Sequence, residues 1–306
     1  MTGPTSRRFE ADGPFDLAGT VKLQRMWGGF TWIRVDPDGC WYAERTKEGA
    51  ASVRLTSDGA GVLAEAWGPG AEALLERVPI LCGLDGPSLG ERLAGWEHPF
   101  VQQVARQWGG ARVGRSGRVY EHLVSTALAQ KVTGANSKRS LRNIAWRWGD
   151  AAPGPNEKLR LLPAPRDLAG RAYYDFHGLG IERHRAVLVL RIADRASALE
   201  RAARMPFAEG RAHLEKLPGI GPWTSGVVLG CALGDPDAVP LADYHLPNWV
   251  AWNLAREERA DDARMMELLA PFAGARGLVA RLTKLGGEGA PRRGPKMTVQ
   301  DVRRLD

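Results

Sequence analysis

Hydrophobic and polar residues follow two different patterns along this chain of 306 residues, and the pattern changes near residues 86–97. Before that point, short segments mix β-branched and aromatic residues with polar ones, and Gly, Asp and Pro separate them, as is typical of strands and turns. Strands are predicted for residues 21–25, 30–36, 40–45 and 52–56, followed by an amphipathic helix around residues 70–78. The N-terminal part is therefore expected to form a small antiparallel sheet.

After residue 97, apolar residues recur at every third or fourth position, as they do on the buried face of a helix. Helices are predicted for residues 99–108, 119–131, 137–148, 183–191, 196–203 and 265–272. Together with the sheet, they predict an α+β protein with a large helical part. The expected organisation is a flexible N-terminus (1–14), a sheet domain (15–95), a helical region (96–285) and a basic tail containing Gly, Pro and Arg (286–306).

The charge balance points to a polyanionic partner, because the net charge is +7 and such an excess favours salt-dependent binding to a polyanion.

Three scattered cysteines are too few for a disulfide framework or a zinc site. They are also not grouped as the ligands of an iron–sulfur cluster would be. No histidine pairing suggests a catalytic metal. Residues 1–14 lack the apolar segment of a secretory signal, and no apolar stretch could span a bilayer. A cytoplasmic monomer is expected.

Residues 217–224 read Leu-Pro-Gly-Ile-Gly-Pro-Trp-Thr and predict a turn that binds phosphate. Gly219 and Gly221 allow the backbone to double back, and Pro222 suits the first turn of a helix. Helices are predicted on both sides, for residues 207–216 and 223–233. In such a helix–hairpin–helix, the backbone N–H groups of Gly219, Gly221 and Thr224 would bind a DNA phosphate. An ordinary glycine-rich turn between two helices has the same spacing.

A single carboxylate follows this turn. Asp243 lies twenty residues after Trp223 in the run Pro-Leu-Ala-Asp-Tyr. On its own, such an aspartate typically caps the next helix. Beside a phosphate-binding hairpin, an ionised carboxylate also suits cleavage of an N-glycosidic bond, since it stabilises a positively charged sugar and can activate water. The two roles are compatible.

Residues 214–249 resemble the signature of the helix–hairpin–helix (HhH-GPD) DNA glycosylase superfamily, and most of all its AlkA-type 3-methyladenine DNA glycosylases. The resemblance rests on the LPGIGxWT core and on the interval from the Trp to the Asp, and it extends more weakly over residues 15–285. It implies a TBP-like sheet domain, two helical subdomains and a catalytic Asp243 that acts on double-stranded DNA containing damaged bases. No cofactor is implied except an optional Na⁺ or K⁺ ion. The carbonyls that would hold this ion belong to Glu215, Leu217 and Ile220.

The same resemblance implies which residues handle the damaged base. Trp223 and Tyr244 would flank the base pocket, and Gln130 would reach toward the DNA. Lys131 occupies the position of the wedge that fills the gap left by the flipped base, where AlkA-type enzymes have Leu, so a phosphate contact is an equal alternative. Bifunctional members of the superfamily carry a Lys at the position of Trp223. An indole has no amine for a Schiff base, so a monofunctional enzyme without lyase activity is predicted.

The expected pocket is less aromatic than that of AlkA-type enzymes. Val227 stands where an aromatic residue is familiar, and the C-terminal helix offers Arg281, Leu282 and Thr283 in place of a Trp. Three functions therefore stay open: excision of alkylated purines in base excision repair, excision of a deaminated, oxidised or mismatched base, and passive DNA binding. Asp243 argues against the third, because a passive module needs no carboxylate next to a polyanion.

Overall fold

The computed structural model describes residues 3–25, 27 and 29–291. Its N-terminal part contains one antiparallel sheet of five strands in the order β1-β5-β4-β3-β2. The strands are β1 (Thr5–Glu10), β2 (Ile33–Asp36), β3 (Gly39–Arg45), β4 (Ala50–Ser57) and β5 (Gly61–Trp67). Three of the four predicted strands thus appear, as β2, β3 and β4.

Two predictions for the N-terminal part are wrong. Residues 21–25 were expected to form a strand, but most of them belong to helix α1 (Leu17–Gln24), which begins where Asp16 accepts a hydrogen bond from the N–H of Gly19 at 2.9 Å. Residues 5–10 were expected to be flexible, but as β1 they pair with residues 61–66 of β5. The sequence shows no apolar alternation there because β1 is an edge strand whose side chains are nearly all exposed.

Thirteen further α-helices follow the first in the part of the chain that the structure describes. They are α2 (Ala71–Cys82), α3 (Leu89–Leu93), α4 (Pro99–Gln107), α5 (Val119–Ala129), α6 (Gly134–Trp148), α7 (Pro165–Ala169), α8 (Arg183–Asp194), α9 (Ala196–Leu199), α10 (Phe207–Glu215), α11 (Pro222–Cys231), α12 (Leu246–Ala255), α13 (Asp262–Leu269) and α14 (Arg276–Gly286). Short 3₁₀ helices cover Tyr173–Leu179, Glu200–Arg204 and Ala270–Phe272. The α+β fold class is confirmed.

The chain builds two hydrophobic cores. One joins the sheet and α2 to helices between α5 and α11, through residues such as Val53, Leu123 and Val189. The other joins α3 and α4 to α12, α13 and α14, and it also takes in Leu23 from α1. The chain thus leaves the second core after α4 and returns to it at α12. The expected boundary at residue 95 does not separate the cores, because α1 and α3 precede it and pack with the later helices.

The start of the expected tail is docked against α12. Gly286 ends α14, and the backbone of Glu288 then pairs with the side-chain amide of Asn253 on α12, through two hydrogen bonds of 2.8 and 2.9 Å. The remainder of the expected tail, residues 292–306, lies outside the described residues. Among the helices that the structure describes, none is long and apolar enough to cross a membrane.

Candidate active site

Helices α10 and α11 form the predicted helix–hairpin–helix. Gly219 has φ +105°, a conformation that favours glycine, and a Cβ there would lie 2.8 Å from the side chain of Leu188 on α8. Gly221 has an ordinary φ of −112°, and a Cβ there would meet nothing within 4 Å. Only the first glycine is therefore needed for the turn itself. The hydroxyl of Ser225 donates to Glu215 at 2.6 Å and joins the two helices.

The hairpin presents backbone N–H groups at the start of α11. Gly221 is the N-cap residue, Pro222 begins the helix as predicted, and Thr224 follows in its first turn. The N–H groups of a first helical turn have no partner within the helix, so they are available to an anion, and the helix dipole adds partial positive charge. The start of a helix thus lies at the predicted place, and phosphate binding there stays a prediction.

Gln130 lies against this hairpin. Its side-chain amide donates to the carbonyl of Gly219 at 2.9 Å and to the hydroxyl of Thr224 at 3.0 Å. The Thr224 side chain is buried, so its hydroxyl serves this contact. Lys131 follows in a left-handed conformation with φ +55°, and its side chain is exposed. The turn after α5 and the hairpin therefore share one surface, with Lys131 projecting into solvent.

Asp243 lies in the connection between α11 and α12 and accepts four hydrogen bonds. Its Oδ1 accepts from the backbone N–H groups of His245 and Leu246, both at 2.9 Å. Its Oδ2 accepts from two indole N–H groups, that of Trp223 at 2.9 Å and that of Trp27 at 3.2 Å. Asp243 thus accepts from the backbone at the start of α12, as a capping residue would, but the N-cap position itself belongs to His245. The carboxylate reaches the hairpin through Trp223.

The electrostatic surroundings keep Asp243 ionised. Burial by itself raises the pKa of this carboxyl, but the positive charge of Lys284 on α14, the N–H donors of His245 and Leu246 and the indole of Trp223 together lower the pKa below its ordinary value. The pKa of Lys284 is lowered by burial, and the charge of Asp243 partly opposes that effect. A carboxylate and an ammonium group therefore influence each other in a partly buried site.

Trp27 and Lys284 are site residues that the sequence analysis missed. The Nζ atom of Lys284 lies 5.0 Å from the ring centroid of Trp27, so the indole contacts Lys284 with its face and Asp243 with its edge. Lys284 directly follows the run 281–283 that was compared with the AlkA-type pocket. Its place on α14 could have suggested it. Trp27 stands between α1 and β2, where no local pattern marks a functional residue.

Three other residues that were considered for the pocket have the following surroundings. Tyr244 follows Asp243, but its side chain is 88% exposed and its ring packs edge-on against His245 at 4.8 Å. Val227 is buried in α11, and Arg281 is buried where it donates to the carbonyl of Gly230 at 2.9 Å. The two indoles around Asp243 are therefore the aromatic surfaces that the described residues bring to the carboxylate.

The predicted cation position lies at the hairpin turn, where the carbonyl of Leu217 accepts from the N–H of Ile220 at 3.0 Å. The carbonyls of Glu215 and Ile220 complete the predicted set, which stays a prediction. Cys40, Cys82 and Cys231 are buried free thiols. Within the described ranges, no group of three or more His, Cys, Asp and Glu is placed to hold a metal ion.

Comparison with known proteins identifies similar chains, although no family model matches this one. It is 31% identical over 153 residues to a probable bifunctional transcriptional activator/DNA repair enzyme AlkA of Mycobacterium tuberculosis, covering 48% of this chain and 30% of that one. The chain spans between 30% and 59% of the length of the curated relatives that it matches.

Solved structures show the same fold over nearly the whole chain. A 3-methyladenine DNA-glycosylase from Archaeoglobus fulgidus superposes with a TM-score of 0.76 at 20% identity, covering 91% of this chain and 97% of that one. An 8-oxoguanine glycosylase/lyase from Clostridium acetobutylicum, bound to double-stranded DNA, superposes with a TM-score of 0.69 at 17% identity, covering 90% and 96%. The fold that the resemblance to helix–hairpin–helix DNA glycosylases implied is confirmed.

Proposed function

We propose that this chain, a relative of the AlkA-type enzymes within the helix–hairpin–helix DNA glycosylases, is a monofunctional DNA N-glycosylase. It flips a damaged purine, in the first place an alkylated one, out of the duplex and hydrolyses the bond to the sugar, which leaves an abasic site. The observation that carries the proposal is the carboxylate of Asp243, which accepts from two indoles next to the hairpin that is predicted to bind phosphate. That arrangement combines a grip on the DNA strand with a fixed negative charge.

The hydrogen bonds of Asp243 indicate how the charge is used. A carboxylate offers about four lone-pair sites, and four N–H donors already occupy those of Asp243. A carboxylate so stabilised is a weak base, because each donor favours the ionised form. We infer that Asp243 acts mainly through its charge, which stabilises the sugar cation as the base departs. Water then attacks the cationic carbon with little need for a strong base.

The hairpin would hold the strand so that the sugar meets this charge. Its backbone N–H groups contact phosphate without reading sequence, which suits an enzyme that scans DNA for damage. Exposed Lys131, which lies on the same surface, would add a wedge or a phosphate contact. Gln130 braces the hairpin through Gly219 and Thr224 in the structure. A Na⁺ or K⁺ ion at the hairpin carbonyls belongs to this proposal as an optional component.

The monofunctional assignment rests on Trp223, which has no amine to form a Schiff base with the sugar. Lys284 is an amine near Asp243, but it lies on α14 with its ammonium group over the face of Trp27. We expect strand breaks only after alkaline treatment of the abasic product. Incubation of the enzyme with the abasic product and borohydride tests this point. A lyase is trapped as a covalent complex with DNA, because borohydride reduces its Schiff base, and a monofunctional enzyme forms no such complex.

The central test compares Asp243→Asn with the wild type on duplexes that each carry one alkylated, deaminated or oxidised base. We expect a loss of base release of about 10²- to 10³-fold in the variant, since its side chain carries no charge. The matched control is Asp261→Asn, because Asp261 also accepts a hydrogen bond from a backbone N–H at the start of a helix, that of Arg264 at 2.9 Å. Undiminished release by Asp243→Asn would remove this carboxylate from the mechanism.

The proposed partner is double-stranded DNA with a damaged base, and the proposed state is a cytoplasmic monomer. Retained DNA binding without release of any lesion would indicate a passive DNA-binding module instead. Light scattering checks the oligomeric state, with 33.3 kDa expected for the single chain.

A further inference from the structure

Lys284 gives the candidate site a positive charge that the cleavage mechanism, as derived above, does not use. Its ammonium group lies over the face of Trp27, 5.0 Å from the ring centroid, while the edge of the same indole donates to Asp243. Asp243 and Lys284 are each partly buried and each influences the other. The site therefore presents a pair of opposite charges joined through one aromatic ring, instead of an isolated carboxylate.

This pair changes which bases the site can bind. An indole face attracts cations, and in a site with only aromatic rings and a carboxylate a cationic base would stack favourably. Here an ammonium group already occupies that side of Trp27. A purine that carries a permanent positive charge would meet repulsion from Lys284, whereas an uncharged purine would not.

The charge of the purine as it leaves the sugar also favours a neutral base. When the bond from C1′ to N9 breaks, its electron pair remains on the purine. A cationic base leaves as a neutral molecule and needs no further help. A neutral base leaves as an anion, which a nearby positive charge stabilises until the anion takes up the proton released when water forms the new bond to C1′. An ammonium group beside the leaving group therefore assists the neutral base and not the cationic one.

We propose, on the basis of the glycosylase function above, that Lys284 is a specificity-determining residue that makes the enzyme select neutral damaged purines over cationic N-alkylated purines. Within the alkylated class, a neutral etheno-type adduct is the expected substrate and a 7-methylated purine the disfavoured one. The residues that carry the selection are Lys284, Trp27 and Asp243.

The test measures single-turnover release from matched duplexes with one 1,N6-ethenoadenine, a neutral base, or one 7-methylguanine, assayed below neutral pH where it keeps its positive charge. The enzymes are the wild type, Lys284→Met, which keeps the length of the side chain without charge, and Lys284→Arg, which keeps the charge. Lys22→Met is the matched control, because Lys22 lies over the ring of Trp108 at 4.8 Å in a second lysine–tryptophan contact. The ratio of the two rates is the readout, since a partly unfolded sample lowers both rates equally.

We expect the wild type to release the neutral base faster than the cationic one. Lys284→Met should lower release of the neutral base by about a hundredfold and leave or raise release of the cationic base. Lys284→Arg should largely restore the ratio, and Lys22→Met should not change it. Equal losses on both bases in Lys284→Met, or an arginine variant no better than the methionine variant, would overturn the inference. Faster release of the cationic base by the wild type would overturn it but leave the glycosylase function standing, whereas release of neither would refute both.

Discussion

The two indole donors to Asp243 allow a sharp test of how the site controls this carboxylate. Trp223→Phe and Trp27→Phe each remove one N–H donor to Oδ2 and keep an aromatic ring in place. If Asp243 must be ionised for base release, the rate falls as the pH drops through its folded-state pKa. Because the donors lower that pKa, their removal raises it. The loss of activity in acid should therefore begin at a higher pH in both variants.

The magnitude follows from the hydrogen bonds. A hydrogen bond to a charged group contributes about 1.5–3 kcal/mol, and about 1.4 kcal/mol is a tenfold change in proton affinity. Removal of one donor should raise the proton affinity of Asp243 by about tenfold or more. Trp223 should have the larger effect, because its N–H lies 2.9 Å from the carboxylate and that of Trp27 lies 3.2 Å away.

The assay is the pH dependence of single-turnover base release from a duplex with one neutral damaged purine. Trp146→Phe is the matched control, since Trp146 is 54% exposed on α6 and has Arg160 over its ring. An acid limb at the same pH in the wild type and both site variants would refute the claim that the indoles hold Asp243 ionised. An equal displacement in the control would show that the effect does not depend on these hydrogen bonds.

Three further predictions concern the framework around the site. Gly219→Ala should lower the free energy of unfolding by about 1–3 kcal/mol, because φ is +105° and the new Cβ would lie 2.8 Å from a leucine side chain. Gly221→Ala is the control and should unfold at the same urea concentration as the wild type, because its Cβ would meet nothing within 4 Å. Burial lowers the pKa of His122 in the folded protein to about 4. As the pH falls from 6.5 to 4, the unfolded chain therefore takes up a proton before the folded protein does, and the free energy of unfolding should fall by about 3 kcal/mol. Urea denaturation across this range measures it, and constant stability would contradict it. Asn253→Leu removes both hydrogen bonds to the backbone of Glu288 and should make the chain after α14 sensitive to protease. The same rate of proteolysis in the variant and the wild type would show that other contacts hold this segment.

The helices were the most predictable part of the fold. The period of apolar residues placed α4, α5, α6 and α8 within a few residues of their observed bounds. The buried face of an amphipathic helix appears in its own sequence as apolar residues at every third or fourth position. The segments at residues 196–203 and 265–272 each end in a 3₁₀ turn, a distinction that the period cannot make. Strands were harder, since β1 takes its place from pairing with β5 and carries almost no buried side chain of its own.

The candidate site divides in the same way. By itself, the sequence determined the hairpin at Gly219 and the place of Asp243 just before α12, because a positive φ and a carboxylate that accepts from the backbone following it are local features of the chain. Only the tertiary structure decided that Trp27 and Lys284 meet this carboxylate. Trp27 is 216 residues away from Asp243 in sequence, and α1 and α14 are brought together by the second core. Such a contact depends on how distant helices pack, and no periodicity within a single segment encodes it.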